Sequence, residues 1–486
     1  VLISGCRRTK RNSASALAFE LNYEENLITL IEELNERRYC PSTSTLFYTD
    51  KPKCREIFAA AFRDRIVHHL IYNKIAPIWE RIFIHHSYAC RPKKGTHAAM
   101  QALQHFCCQL TANGKKRAYY LKLDVHNFFM TIDKQLLFQM ISTKISNPDL
   151  LWLIEVVVFH DPTKDYQLQD KDNLRHKVPQ YKSLFNALPF CGLPIGNLTS
   201  QFFANVYLNA LDQFVKHQLK CRFYLRYVDD FVLLHTDAAK LTEWKQSISD
   251  FLQQTLHLTL NERATRLAPV SGGIDFAGFI IRADYRLVRR RVIGNLKEKL
   301  RNARKRLVIT RPECVTFYFH QETLKQTLAT VNSYLGHLRH GNSRNCIRNI
   351  FKEFSFLTFF YRVSFRKIVR FDRPLRKKYT LRKQIHWCSF RFSRYLCLFE
   401  VGCYFEAFDT DARILAEITG YGMKKNWRCK RYACGFPRSL LNSVLNELKR
   451  FGIPVAVFRQ TGKELLKTME RLPYLILDYP ERDLVQ

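Results

Sequence analysis

Residues 224–234 read Tyr224-Leu225-Arg226-Tyr227-Val228-Asp229-Asp230-Phe231-Val232-Leu233-Leu234. Two adjacent carboxylates interrupt an otherwise apolar run, where an unpaired buried charge is strongly unfavourable. The pattern predicts two short strands over 222–235, joined by a tight turn at the acids. A second acidic strand end lies upstream, in Leu121-Lys122-Leu123-Asp124-Val125-His126-Asn127-Phe128-Phe129. Adjacent carboxylates on a turn repel one another unless a cation lies between them. Mg²⁺, hard and oxygen-seeking, relieves that conflict. Two such ions ~4 Å apart can activate a hydroxyl and stabilise a leaving pyrophosphate in one in-line displacement. An isolated Asp-Asp pair is commonly a solvated hairpin turn. The flanking apolar strands and the Asp124 strand end argue for a site instead.

Composition points the same way. The chain has 486 residues, 78 Lys+Arg against 43 Asp+Glu, and a net charge of +35, with 47% hydrophobic residues. That hydrophobic content excludes ordinary disorder, and the length suggests two to four packed units. So large a positive excess favours a polyanionic partner, nucleic acid first, over a small metabolite. A membrane-surface role is disfavoured, because the charge is spread along the whole chain. No run approaches the ~18–20 apolar residues of a spanning helix, and no secretory signal follows Val1-Leu2-Ile3. The 15 cysteines form no C-x-x-C pair. They read as reduced, mostly buried thiols of an intracellular protein.

Along the chain, residues 14–38 read as one amphipathic helix carrying Leu17, Leu21, Leu27, Leu30, Ile31 and Leu34. Residues 62–83 read as a second helix, interrupted near Pro77. Residues 118–125 read as a buried strand, 197–219 as a long helix, and 274–281 and 286–293 as further strands. Beyond 295, Leu296, Leu300, Ala303 and Leu307 form one helical stripe, with Lys297, Arg301, Arg304 and Lys305 on other faces. Residues 361–394 hold twelve Lys/Arg and one acid, interleaved with Phe365, Phe371, Trp387, Phe390 and Phe392. That stretch reads as a linker able to bind RNA by stacking. The last ~90 residues read as a compact α/β unit.

Tyr227-Val228-Asp229-Asp230, with the Asp124 strand, resembles the palm of reverse transcriptases of the bacterial group II intron and diversity-generating retroelement type. The resemblance covers roughly residues 15–300. It includes, in order, Lys51-Pro52-Lys53-Cys54-Arg55, Phe62-Arg63-Asp64-Arg65, Ser87-Tyr88-Ala89-Cys90-Arg91-Pro92, the Asp124 strand, Gly192-Leu193-Pro194-Ile195-Gly196 and Phe276-Ala277-Gly278-Phe279. It implies that Asp124, Asp229 and Asp230 are catalytic and hold two Mg²⁺ ions, with the Val125 carbonyl as a further ligand. Lys53, Arg55 and Arg63, reinforced by Arg65, would grip the incoming triphosphate, with Ile195 and Gly196 beside it. Phe129 would be the steric gate against a ribose 2′-hydroxyl. Arg91 would lie near template backbone or serve in packing and ion pairing. Gln201 would contact the template strand, and Phe276 and Gly278 would form the primer grip. Ala264 departs from the family, many of whose members carry a basic residue there.

Ile195-Gly196-Asn197-Leu198-Thr199-Ser200-Gln201 resembles the form found in diversity-generating retroelements, whose error-prone copying alters template adenines. The C-terminal order Leu398 to Phe408, Gly435-Phe436-Pro437 and Val455 to Gly462 is similar to the N-terminal, mismatch-contacting domain of the MutS family. By that resemblance Tyr404 would stack on a mispaired base and Glu406 hydrogen-bond it. Both are otherwise read as scaffold.

The expectation is an α+β chain. Fingers and palm occupy 1–285, a thumb 286–360, the basic linker 361–394 and the MutS-like module 395–486. Its reaction is RNA-directed DNA synthesis on an RNA template, from a DNA or RNA primer and dNTPs. An accessory retroelement protein is a further expected partner, in a bacterial cytoplasm and without a membrane. The alternatives are a reverse transcriptase of a phage-defence or unclassified system, and a non-catalytic nucleic-acid-binding relative.

Overall fold

The computed structural model describes residues 6–7, 13–49, 54–169, 175–371, 380–426, 429–465 and 468–479. The chain forms two compact units, Val1–Tyr285 and Arg286–Gln486.

The first unit opens with helices α1 (Ala14–Leu21) and α2 (Tyr23–Asn35). They are separate where the periodicity predicts one helix, because Asn22 leaves helical geometry (φ −121°, ψ 54°). Leu30 is buried, whereas Leu17, Leu21 and Ile31 stay exposed. Strands β1 (Ser44–Thr49) and β2 (Arg55–Ala59) form an antiparallel hairpin. Helix α3 (Phe62–Ile82) then runs unbroken through Pro77. The loss of one backbone hydrogen bond there is offset by tertiary packing of Ile71, Ile75, Ala76 and Trp79, all buried. Helix α4 (Thr96–Leu110) and strand β3 (Tyr119–Asp124) follow, then helices α5 (Lys134–Ser142) and α6 (Pro148–Phe159). Strand β4 (Tyr166–Leu168) pairs parallel with β1.

Helix α7 (Leu198–Gln213) is buried on nearly every face and ends in a π turn over Phe214–Gln218. A helix apolar all round belongs in a core. It packs beneath the sheet made with β5 (Phe223–Tyr227), β6 (Asp230–His235) and β7 (Arg266–Pro269). The order is β5-β6-β3-β7, all antiparallel. Helix α8 (Ala238–Leu256) connects β6 to β7, burying Leu241, Trp244, Ile248 and Leu252. Residues 274–281 are a hairpin rather than one strand: β8 (Ile274–Phe276) and β9 (Phe279–Ile281).

The second unit opens with a strand of three residues, Arg286–Val288, where the sequence predicts one over 286–293; the basic helix α9 (Arg290–Leu307) takes over, and its buried residues are Leu296, Leu300, Ala303 and Leu307. Next come β10 (Val308–Thr310), β11 (Val315–Tyr318), α10 (Gln321–Leu338), α11 (Arg344–Glu353) and the hairpin β12 (Tyr361–Val363) and β13 (Ile368–Arg370). Then follow α12 (Leu381–Arg391), β14 (Leu396–Val401), β15 (Tyr404–Phe408), α13 (Thr410–Thr419), β16 (Met423–Asn426), β17 (Arg431–Pro437), α14 (Leu441–Arg450), β18 (Val455–Leu465) and β19 (Thr468–Asp478). One sheet runs β10-β11-β19-β18-β14-β15-β17-β16. The expected borders at 360 and 394 therefore do not divide this unit. Strands β10 and β11, from the expected thumb, complete the sheet, and α12, from the expected linker, packs on it through buried Gln384, whose Nε2 donates to the Met469 carbonyl at 3.2 Å.

Eight of the fifteen cysteines are buried. Among the described residues no helix is long and apolar enough to cross a membrane.

Candidate active site

Strands β5 and β6 pair up to Tyr227 opposite Asp230, leaving Val228-Asp229 as a two-residue hairpin loop. Such loops need positive φ, normally supplied by Gly or Asn. Here Val228 takes φ +58°, a conformation costing a β-branched residue on the order of 1–3 kcal/mol. The neighbouring network holds it there. Arg226, with no solvent exposure, donates from Nη1 to the Val228 carbonyl at 2.9 Å. It also donates from Nε and Nη2 to the two carboxylate oxygens of Asp212 at 2.8 and 2.6 Å. Nη1 reaches Asn205 at 3.1 Å and Nη2 the Ser87 hydroxyl at 3.3 Å. Tyr224 donates its hydroxyl to Asp212 at 2.7 Å. Burial opposes the Arg226 charge, but Asp212 outweighs it and leaves its pKa raised. Burial, then the Asp212 charge, pushes the Tyr224 phenol well up. The turn is thus clamped to α7 from below.

Register brings the acids together. Asp124, the last residue of β3, lies directly opposite Asp230 on β6, so their Cα atoms are roughly 4.5–5.5 Å apart. Asp229 precedes Asp230 in the turn. Burial, followed by the charges of Asp124 and Asp230, pushes the Asp229 carboxyl up to about 6, with Arg55 pulling the other way. Arg55, exposed at the start of β2, therefore acts on the same carboxylate. Asn261 fixes Asp124: its Nδ2 donates to Oδ2 at 2.8 Å, and its N–H to the Asp124 carbonyl at 2.8 Å. Lys122 Nζ lies 3.4 Å from Asp230 and donates to the Asp275 carbonyl at 3.3 Å. Val125 is buried and bridged to Leu260.

Among the described residues no group of three or more His, Cys, Asp or Glu side chains stands in a ready metal cage. The donor set nevertheless suits a hard cation. Burial, and after it the charges of the two neighbouring carboxylates, keep Asp229 from ionising at its usual pH, and a divalent ion relieves the repulsion among the three.

Phe129 and Ile195 both pack against one apolar cluster of Leu46, Tyr48, Phe58, Met130, Val178 and Leu184. Phe129 lies in a single helical turn entered through left-handed Asn127, and its carbonyl accepts from the Leu193 N–H at 2.8 Å. Gly196 (φ +132°) lets its loop lie against β2: an added Cβ would stand 2.9 Å from the Phe58 carbonyl oxygen. The Phe58 N–H donates to the Ile195 carbonyl at 2.9 Å, and the Ala60 N–H to the Asn197 side chain at 3.2 Å. The tip of the β8-β9 hairpin is Ala277-Gly278, with φ +49° and +93°. Phe276 is fully buried and meets the Tyr227 ring edge-on at 6.4 Å. The hairpin is thereby tied to the acidic turn. Gln201 is exposed on α7 and accepts from the Cys90 thiol at 3.1 Å.

Three expected contacts are otherwise engaged. Arg63 is ion-paired with Glu33, lies 3.6 Å from Asp64, and covers the Tyr39 ring. It braces α3 against α2 rather than walling a triphosphate site. Arg65 Nε donates to the Ala60 carbonyl at 3.0 Å, and burial lowers its pKa. The side chain of Arg91, 5% exposed, pairs with Glu80 at 2.9 Å and donates to the Ile84 and Ser87 carbonyls at 2.7 and 2.9 Å. Of its two expected roles, ion pairing is the one the geometry supports. Lys53 lies outside the described residues.

In the second unit, Tyr404 is 51% exposed. Glu406, two residues on and so on the same strand face, accepts from Asn426 Nδ2 at 2.7 Å. Asn261, Arg226, Asp212 and Lys122 carried no sequence assignment. Only the Arg immediately before the Tyr-Val-Asp-Asp run hinted at the network.

The family model described as "Reverse transcriptase (RNA-dependent DNA polymerase)" matches residues 49–281, and that for "MutS domain I" matches residues 381–476. Protein YkfC of Escherichia coli (strain K12) is 26% identical over 336 residues, 62% of this chain and 81% of its own length. The group II intron-encoded protein LtrA of Lactococcus lactis subsp. cremoris is 23% identical over 251 residues, and the chain spans 38% of it. Among solved structures, apo telomerase from Candida tropicalis, truncated from its C-terminal domain, aligns with TM-score 0.36 and 14% identity, over 49% of this chain and 53% of that one. Telomerase from Candida albicans with a fragment of telomeric RNA aligns with TM-score 0.38 and 11% identity, over 69% and 58%. Residues 49–281 are thus a reverse transcriptase (RNA-dependent DNA polymerase) domain, followed at residues 381–476 by a MutS domain I-like region.

Proposed function

We propose that this chain extends a DNA or RNA primer with dNTPs along an RNA template, using Asp124, Asp229 and Asp230 as the carboxylates of the reaction centre. The observation carrying this reading is the β3-β6 register that sets Asp124 opposite Asp230 beside the clamped turn. Reverse transcriptases use divalent metal ions. Here Asp124 and Asp229, with Asp230 and the Val125 carbonyl, would hold two Mg²⁺ ions. Bound there, the ions would supply Lewis-acid stabilisation of the primer hydroxyl and of the departing pyrophosphate.

The chain's own side chains do the rest. Arg55 presents positive charge on the side of Asp229 and would hold the triphosphate. Lys122 keeps Asp230 paired and directed. Asn261 holds Asp124 in one rotamer, with its carbonyl engaged. Phe129, seated in the same apolar cluster as Ile195, would leave no room for a 2′-hydroxyl and so select dNTPs. The hairpin at Phe276-Gly278 would support the primer end through its contact with Tyr227.

Within this activity we place the chain among the error-prone enzymes of diversity-generating retroelements. Ile195 supports this, since an apolar side chain cannot donate hydrogen bonds to the templating nucleotide as an amide could. Tyr404 and Glu406, sharing one exposed strand face, would contact mispaired or bent duplex in the product.

Primer extension on a defined RNA with Mg²⁺ tests the core reading. Wild-type protein should make cDNA and Asp229→Asn should not; intact synthesis by the variant removes the catalytic assignment. Sequencing that cDNA tests the subtype, with errors expected at template adenines. Uniform, low error would exclude it.

A further inference from the structure

Helix α12 has two faces of different chemistry. Leu381, Gln384, Ile385 and Cys388, at helical spacing, are buried on the unit's sheet. The opposite face exposes Arg382, Lys383, His386 and Phe390, with Trp387 half-buried between them. Phe390 is 82% exposed. With Arg431 from β17, these side chains line a cleft of about 720 Å³ to which, among the described residues, no carboxylate contributes. Arg431 is held at the rim by Asp409.

We infer that this cleft is a binding site for unpaired nucleic acid, separate from the polymerase centre and from Tyr404. An isolated exposed ring is ordinary on a protein surface. Two rings alternating with three permanent cations around one concave wall are not, because that pattern matches a ligand with flat apolar faces joined by phosphates. The i, i+4 spacing of Arg382, His386 and Phe390, and of Lys383 and Trp387, makes two adjacent rows along the helix, each starting in a cation and ending in a ring. A strand seated there can place phosphates at the Arg382-Lys383 end and bases against Trp387 and Phe390. Duplex keeps its bases stacked on each other, so the rings would gain nothing from it. RNA and DNA single strands share the recognised chemistry.

The test uses the full chain and fluorescein-labelled 12-mers of oligouridylate and oligothymidylate, read by anisotropy across a salt titration. Arg382→Gln with Lys383→Gln should make the slope of log K against log salt shallower by about 1.4, the value for two lost phosphate contacts on a single strand. Phe390→Ala should weaken binding by about five-fold or more, the lower end for one lost stack. Phe390→Trp, which keeps a stacking ring, should restore it. A 4-thiouridine oligomer should photolabel the tryptic peptide 384–391, and the stronger of the two oligomers names the sugar. The inference is overturned if these variants leave slope and affinity unchanged with no label in that peptide. It is equally overturned if blunt duplex or phosphatidylserine vesicles compete with the strand as well as the unlabelled oligomer does. Primer extension by the variants on a short template should stay at the wild-type level, so failure here is distinct from failure at Asp229.

Discussion

Removing the Asp212 carboxylate isolates the forces that hold the reaction-centre turn. In Asp212→Ala the Arg226 guanidinium stays fully buried and loses both of its short hydrogen bonds to a carboxylate. The Tyr224 hydroxyl loses its acceptor as well. Breaking one side of a buried ion pair costs about 3–5 kcal/mol, roughly a fifth or more of the ~5–15 kcal/mol that holds a typical domain folded. Urea denaturation followed by circular dichroism should record that loss. The double variant Arg226→Met/Asp212→Leu carries no buried charge and should recover most of the stability, since apolar replacement of a buried pair is often neutral. It should not recover polymerisation: the Val228 carbonyl has lost its donor, and nothing then holds a Val in left-handed geometry. The two readouts must therefore part company. A single variant within about 1 kcal/mol of wild type would refute the energetic argument, because that is the range of an exposed pair. A double variant that extends primers at the wild-type rate would refute the positioning argument.

Three further outcomes follow from the geometry. Because the folded chain holds the Asp229 proton up to about pH 6, against an ordinary carboxyl value near 3.8, it binds more protons than the unfolded chain between those limits. Metal-free stability should fall as pH rises from about 4 to about 6, and Mg²⁺ affinity, measured by calorimetry, should weaken as pH falls through about 6. Asp229→Asn should abolish both trends. Ala277→Gly, at φ +49°, should raise stability in urea by about 1 kcal/mol, by relieving left-handed strain at the hairpin tip. Gly196→Ala should lower stability by about 1–3 kcal/mol and raise the KM for dNTPs, since φ +132° and the Phe58 carbonyl 2.9 Å away both exclude a methyl group.

The acidic turn and the strand ending in Asp124 were legible in sequence because short apolar runs and a paired acid are local signals. Helix α9 was legible in part: the stripe from Leu296 to Leu307 is the face it buries. What escaped was set by partners distant along the chain. Arg63 reads as part of a wall around the triphosphate, yet Glu33 reaches it only once α2 and α3 have packed. Nothing local marks Asp212 as the counter-charge of Arg226 or Asn261 as the holder of Asp124. The continuity of α3 through Pro77 likewise depends on what its other face packs against.

The C-terminal sheet is closed by strand β11, where residues 315–318 pair with 475–478. A ribosome emitting this chain releases the first of these partners long before the second. The border of β11 therefore has no native cover until residues 475–478 have emerged, and any fragment started after residue 318 leaves the matching border of β19 bare. An uncovered strand border is a template for association with other chains. The sheet is thus complete only when the segments from Val308 to Asp478 are present together, and a cut at residue 381, where the MutS-like match begins, removes two of its strands.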